Sequence, residues 1–263
     1  MKHLFSEWEK FDFHKFGGIY LFLDYDGTIC PLSRQTYHPV LSSAMREMLK
    51  KLNRHPKIKV AIISGRSIAD LRKKIGLRSL VYSGNHGMEI SGSGIHFNSP
   101  VTSAQKKIIR KLIMIFRAQY SDIPGLLVND KGLSVSLHYR FTSPAQKRWI
   151  RRTYLEIIRP FVSRGEISIF PGKKIHEVKP AVQWNKGHAV EWLLNHENFK
   201  KGPFFPVYLG DDVTDEDAFR VLSDRGMAVR VGGPKRGSCA GYYLRNIPEV
   251  LSFLKRIEKV KLN

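Results

Sequence analysis

Apolar residues along this chain fall into short unbroken runs, and the runs alternate with stretches whose apolar positions recur every three to four residues. Ile19 to Leu23, Lys59 to Ile63, Leu80 to Ser83, Val207 to Leu209 and Met227 to Val231 are the runs. Short, unbroken and rich in β-branched residues, they predict strands buried on both faces. Ser67 to Ile75, Asn185 to Asn195 and a segment near Asp217 to Leu222 have helical spacing; Ala189, Val190, Leu193 and Leu194 mark the second. Strand and helix in alternation predict an α/β fold: a Rossmann-like parallel sheet with helices on both faces.

The middle of the chain has a different rhythm. Ala104 to Tyr120 is helical, with Ile108, Leu112, Ile115 and Phe116 on one face. Leu126 to Val128 and Leu133 to Tyr139 predict a hairpin turning at Asn129-Asp130-Lys131-Gly132. Pro144 to Ile158 is a second helix, with proline in its first turn. Glu166 to Phe170 and Ile175 to Val178 predict a second hairpin around Pro171-Gly172. Helix, hairpin, helix, hairpin is a smaller α+β unit of its own, inserted over 101–180 into a core made of 1–100 and 181–263.

Composition narrows the class. The 42% hydrophobic content supports a true core, and no apolar run approaches the ~20 residues of a membrane helix. Met1 to Phe16 is charged and mixed, without the apolar centre of a signal peptide. The two cysteines, Cys30 and Cys239, make no disulfide framework and fit a reducing cytosol. The expectation is a cytoplasmic protein with neither a membrane nor a nucleic acid as partner. Charge pulls toward anions: the formal net charge is +21, and residues 99 to 180 hold 16 Lys and Arg against 5 Asp and Glu. Arg148, Arg151, Arg152 and Arg159 read mostly as one solvated helix face that can also steer an anionic substrate. No nucleic-acid motif accompanies this charge, and no aromatic platform is interleaved with it.

Candidate chemistry begins where the first buried run ends, in Asp24-Tyr25-Asp26-Gly27-Thr28. Buried strands do not normally end in paired carboxylates, because a desolvated carboxylate is costly without a partner. At a strand's carboxyl end, where open α/β sheets bind ligands, the pair suggests a cation or a reacting group. Ser64-Gly65-Arg66 follows the second strand, Lys186 opens a helix, and Gly210-Asp211-Asp212-Val213-Thr214-Asp215-Glu216-Asp217 follows a late strand. Singly, each has an ordinary reading as turn, cap or solvated charge. Jointly, if these strands are adjacent and parallel, their carboxyl ends line one crevice that would hold carboxylates, a hydroxyl and an ammonium. Oxygen donors without sulfur suit a hard cation, Mg2+. The set suits phosphoryl transfer: Asp24 attacks phosphorus, Asp26 protonates the leaving oxygen and then activates water, and Ser64, Lys186 and Mg2+ hold the equatorial charge.

This order of motifs resembles the haloacid dehalogenase-like phosphohydrolases, over about residues 17 to 233. The resemblance implies that Asp24 is the nucleophile and Asp26 the general acid/base, with Thr28 supporting them. It implies that Asp24, the main-chain carbonyl of Asp26, and Asp211 hold Mg2+, and that Asp212 or Asp215 acts through water. The inserted basic unit is then similar to that superfamily's α/β cap. Further strings resemble one branch, the trehalose-6-phosphate phosphatases: Ser64-Gly65-Arg66, the run Gly84 to Glu89, Leu137-His138-Tyr139-Arg140, the run Gly172 to Pro180, and the full acidic string from Gly210 to Asp217. His176 and Lys179 depart from that branch, which commonly has an apolar residue and an arginine there.

The resemblance implies a sugar phosphate as substrate, and it opens an association with the trehalose-6-phosphate synthase. A disaccharide is read by groups that pair with hydroxyls. Glu177 and His138 in the inserted unit, and Asn85, His86 and Glu89 beside the core motifs, are suited to this. Lys174 is placed to reach the phosphate or a hydroxyl, and Arg66 to bind substrate or brace the acidic loop. Plainer readings stand beside these: His138 as a satisfied strand histidine, Glu177 as a partner of Lys179, and His86 as a loop residue. Other functions keep part of the pattern. They are a phosphatase for sucrose, mannosyl-glycerate or hexose phosphate, a basic nucleic-acid binder, and a non-catalytic regulatory subunit.

Overall fold

The computed structural model describes residues 1–32, 39–172, 175–196 and 204–262. The chain divides into two compact units: Met1–Phe97 with Trp184–Asn263, and Asn98–Gln183.

In chain order the elements are β1 (Lys2–His3), β2 (Gly18–Asp24), α1 (Ser43–Arg54), β3 (Ile58–Ile63), α2 (Ile68–Ile75), β4 (Val81–Gly84), β5 (Glu89–Gly92), β6 (Ile95–Asn98), α3 (Ser103–Tyr120), β7 (Leu127–Asp130), β8 (Val135–His138), α4 (Pro144–Ser163), β9 (Ile167–Gly172), β10 (Ile175–Pro180), α5 (Lys186–His196), β11 (Phe204–Gly210), α6 (Glu216–Leu222), β12 (Met227–Val231), β13 (Tyr242–Leu244) and α7 (Ile247–Glu258). The first unit is built on a sheet ordered β1-β13-β12-β11-β2-β3-β4-β5-β6. The pairings from β1 through β4 are parallel, and β5 pairs antiparallel with β4. All seven residues of β2 are buried, as a central strand covered on both faces requires. One core lies on the side of Leu21, Leu23, Leu49, Ile62 and Phe253, the other on the side of Tyr20, Phe22, Ile63, Leu193 and Phe219.

The order around β2 positions the site. With β11 on one flank and β3 on the other, the three carboxyl ends carrying Asp24, Ser64 and Asp211 stand side by side. This is the crevice position of a doubly wound sheet. α2 starts on a Ser67 cap that accepts the Asp70 amide, and stops at Gly76, whose φ of 73° is the left-handed stop typical of helix ends.

The second unit has its own core and a four-stranded antiparallel sheet ordered β7-β8-β10-β9. Its two helices run slightly longer than their patterns predict and begin with capping boxes at Thr102 and Ser143. The inward face of α3 is Ile109, Leu112, Ile113, Phe116 and Tyr120, so Ile108 and Ile115 are flanking rather than central. The first turn is Lys131 to Ser134, two residues later than expected. Asp130 pairs with Val135, and its carboxylate accepts the Gly132 amide. Pro171 and Gly172 belong to β9 rather than to a turn, and Lys173 and Lys174 lie outside the described residues. Arg148, Arg151, Arg152 and Arg159 are all exposed on α4. No helix among the described residues is long and apolar enough to cross a membrane.

Candidate active site

β2 ends at Asp24, a residue only 4% exposed. The chain then folds back on itself: Tyr25 O accepts from Ile29 N and Cys30 N, and Gly27 N donates to Cys30 O at 2.7 Å. Gly27 takes a φ of 84°, and a Cβ there would run into the Asp211 carboxylate. Glycine is required twice over, by backbone conformation and by the closeness of the acidic loop.

Lys186 opens α5 and is buried. Its Nζ donates to Asp24 Oδ1 and to Asp215 Oδ1, each at 2.7 Å. Asp215 is fully buried and also accepts from Tyr208 OH at 2.7 Å and Asp212 N at 2.9 Å. Asp24, Asp211 and Asp215 bring carboxylate oxygens within 4.8 Å of one another. One cation among these carboxylates leaves excess negative charge. Burial pushes the Asp24 carboxyl well above its ordinary pKa, against the pull of Lys186. Burial and then Asp215 push Asp211 up to about 7. Burial works against the Lys186 ammonium, but Asp215 and Asp24 outweigh it and hold its pKa above the ordinary lysine value. Asp211 Oδ1 and Thr28 Oγ1 are buried with no hydrogen-bond partner among the described residues.

Of the two residues expected to act through water, Asp215 stands inside the cluster. Asp212 is exposed and serves the next turn, accepting from Val213 N at 2.7 Å. The Asp26 carboxylate is turned elsewhere, onto Arg66. Ser64 is buried at the end of β3; its amide donates to Ser83 O and its Oγ accepts from Arg66 N.

The residues beside this turn face inward. Asn85 is fully buried. Glu89 Oε1 accepts from Asn85 Nδ2 at 2.8 Å and from Ile68 N at 2.9 Å. His86 lies against Gly65, where a Cβ would come within 2.5 Å of the imidazole. The structure thus gives Asn85, His86, Glu89 and Arg66, each a candidate for sugar contact, contacts within the core unit itself; for His86 and Arg66 these match the alternative readings as a loop residue and as a brace.

In the second unit, Glu177 on β10 pairs with Ser136 on β8, so Glu177, Ser136 and His138 share one sheet face. Glu177 Oε1 accepts from Lys131 Nζ at 2.7 Å and from Ser134 Oγ at 3.0 Å. His138 Nε2 meets Ser136 Oγ at 3.0 Å. Lys174 lies outside the described residues. His176 is on the opposite face, stacked on Tyr154 at 4.4 Å between centroids, and burial lowers its pKa to about 4. It fills an apolar position as a neutral ring, which explains its departure from the expected residue type.

Sequence reasoning missed Tyr208, Asp70 and Lys131. Tyr208 sits in an apolar strand run, which gives no sign that its hydroxyl holds Asp215. Asp70 lies four residues after Arg66 on a helix, a spacing that does signal an ion pair. Lys131 was absorbed into a turn.

The trehalose-phosphatase family model matches residues 22–244. "Probable trehalose-phosphate phosphatase 3" of Oryza sativa subsp. japonica is 30% identical, over 93% of this chain and 70% of that one. "Probable trehalose-phosphate phosphatase I" of Arabidopsis thaliana is 32% identical, over 92% of this chain and 68% of that one. The C-terminal domain of the Candida albicans trehalose-6-phosphate phosphatase superposes with a TM-score of 0.76 at 23% identity, covering 98% of this chain and 96% of that one. This chain belongs to the trehalose-phosphatase family.

Proposed function

We propose that this protein hydrolyses trehalose 6-phosphate to trehalose and phosphate, with Asp24 as the nucleophile. The observation that carries the reading is the buried Lys186 bridging Asp24 and Asp215 beside Asp211, at the carboxyl ends of adjacent parallel strands.

The donor set fits a hard divalent cation: carboxylates without sulfur or imidazole, and one buried Asp211 oxygen with no partner. Asp24, Asp211 and the main-chain carbonyl of Asp26 are the residues that would hold Mg2+, with Asp215 behind them. Bound there, Mg2+ supplies positive charge next to the transferring phosphoryl group.

The chain's own residues divide the remaining work. An Asp24 oxygen forms a bond to phosphorus as the bond from phosphorus to the sugar oxygen breaks, and that electron pair leaves on the sugar oxygen. Asp26 gives this oxygen its proton. Water then attacks the aspartyl phosphate, Asp26 takes the water's proton, and the Asp24 carboxylate returns. Lys186 fixes the attacking carboxylate and, with the Ser64 hydroxyl, faces the charge on the phosphoryl oxygens. Recognition of the disaccharide is assigned to the polar sheet face bearing Glu177 and His138.

Phosphate release across a set of sugar phosphates tests the reading. Trehalose 6-phosphate is expected to give the highest kcat/KM, and chelation is expected to abolish turnover. If glucose 6-phosphate or sucrose phosphate were hydrolysed equally well, the substrate assignment would fail while the phosphatase chemistry stood.

A further inference from the structure

Arg66 takes no part in the Lys186 cluster, yet it is among the most fully engaged side chains of the first unit. Its Nε donates to Asp26 Oδ2 at 2.6 Å and its Nη2 to Asp26 Oδ1 at 2.8 Å. Its Nη1 donates to Asp70 Oδ2 at 2.7 Å, and its guanidinium lies 5.4 Å from the centroid of the Tyr25 ring. A fork-to-fork pair fixes the plane of a carboxylate as well as its distance. This pair is no exposed surface bridge: the Arg66 side chain is 17% exposed.

The backbone that carries Arg66 is clamped as well. Arg66 O accepts from Asn85 N at 2.7 Å, and Ser64 O accepts from His86 N at 3.0 Å. Asn85 and His86 hold φ values of 49° and 59°, a left-handed pair of non-glycine residues that needs surrounding contacts to persist. The bonds from Glu89 to Asn85 and to the start of α2 supply some of those contacts. The run Asn85 to Glu89 therefore buttresses the turn from Ser64 to Arg66.

We propose that Arg66 is a positioning residue for Asp26: it aims the proton-transferring carboxylate, Asp70 anchors it, and it does not bind the sugar. The inference rests on the roles proposed above for Asp24 and Asp26. To pass a proton to or from one oxygen, Asp26 must release one of its two bonds to Arg66. Asp70 keeps the guanidinium in place while it does so, and the second bond keeps the carboxylate from leaving the line of transfer.

The test compares Arg66→Lys and Asp70→Asn with wild type on two esters, trehalose 6-phosphate and p-nitrophenyl phosphate. p-Nitrophenolate departs without a proton, so kcat/KM for that ester reports phosphoryl transfer without the acid. For Arg66→Lys, kcat and kcat/KM on trehalose 6-phosphate are expected to fall together by about 100-fold, the lower range for general acid catalysis. The loss in kcat/KM on p-nitrophenyl phosphate is expected to be at least several-fold smaller, and Asp70→Asn is expected to shift both in the same direction by less. Added to Asp26→Asn, Arg66→Lys is expected to cost little more, because both act on one proton transfer. A raised KM with kcat retained would make Arg66 a sugar ligand and overturn the proposal. So would equal losses on both esters. If Arg66→Lys does not fold by circular dichroism, Asp70→Asn decides by the same comparison. Wild type that cleaves neither ester sinks the proposed function, whereas unequal or equal losses in an active enzyme judge this inference alone.

Discussion

Asp211→Asn is expected to stabilise the metal-free protein while destroying its response to Mg2+. The Asp211 carboxyl is pushed from an ordinary 3.8 up to about 7 by burial and by Asp215. A displacement of that size separates the protonated and charged forms by about 4 kcal/mol. Between the two values the folded chain binds a proton that the unfolded chain has released, so folding stability falls as pH rises from about 4 to about 7 and then levels. Asparagine cannot ionise and escapes this loss. Its amide also needs partners, and Asp211 Oδ1 has none, so roughly half the gain is expected to survive. About 2 kcal/mol is roughly 4–8 °C in Tm for a chain of this length. Thermal melts in EDTA, from pH 4 to 8, read the difference between variant and wild type. It should grow up to about pH 7 and stay constant beyond. In Mg2+ the order should invert, because only wild type gains the mass-action stabilisation of a bound cation. A variant that melts below wild type in EDTA at pH 8, or a difference that does not change with pH, refutes the account of the cluster as excess charge awaiting a cation.

Other substitutions probe the remaining contacts. Asp24→Asn should abolish phosphate release and leave the circular dichroism spectrum unchanged; residual turnover near wild type removes Asp24 as nucleophile. Lys186→Met strips the shared cation from Asp24 and Asp215 and should cost about 3–5 kcal/mol in urea unfolding. That loss should be greater at pH 8 than at pH 5, because burial raises the Asp24 carboxyl and lets it take up a proton. Gly27→Ala sets a methyl against the Asp211 carboxylate at a φ of 84°, and should remove most of the Tm gain from Mg2+. Glu89→Ala leaves the Ile68 amide and the Asn85 side chain without their acceptor. It should lower stability by about 1–3 kcal/mol with the KM for trehalose 6-phosphate within about twofold of wild type.

The core was legible in the sequence because its signals are physically redundant. β2, β3, β11 and β12 are apolar runs that fit only a buried parallel sheet, and the chemistry-bearing residues follow directly at their carboxyl ends. What the pattern did not show was short or justified by other causes. β1 and β13 have two and three residues, too few for any period, and β5 is a polar strand antiparallel to its neighbour. α3 was found but rotated: with apolar residues at 108, 109, 112, 113, 115 and 116, helical spacing permits more than one inward face, and packing chooses Ile109 and Ile113. Asn85 and Glu89 looked like hydroxyl readers because amides and carboxylates are. Only the tertiary contacts reveal that Glu89 Oε1 already accepts from Ile68 N and Asn85 Nδ2.

The two aspartates at the end of β2 show how the fold places one residue type in two settings. Residues i and i+2 of a strand point to the same side, and continued extension would have sent Asp24 and Asp26 into one environment. β2 instead stops at Asp24, and the turn at Gly27 separates the two side chains. Asp24 meets the Lys186 ammonium in full burial, in company with Asp211 and Asp215; Asp26 meets the Arg66 guanidinium in a half-open position, in company with Asp70. The first setting crowds carboxylates around a fixed point charge, which suits a nucleophile that shares a cation. The second holds a carboxylate by its plane at the margin of the cluster, which suits a group that must give a proton away and take one back. The difference between the two roles proposed for these aspartates therefore rests on the partner cations, one opening α5 and the other just ahead of α2, and not on the aspartates themselves.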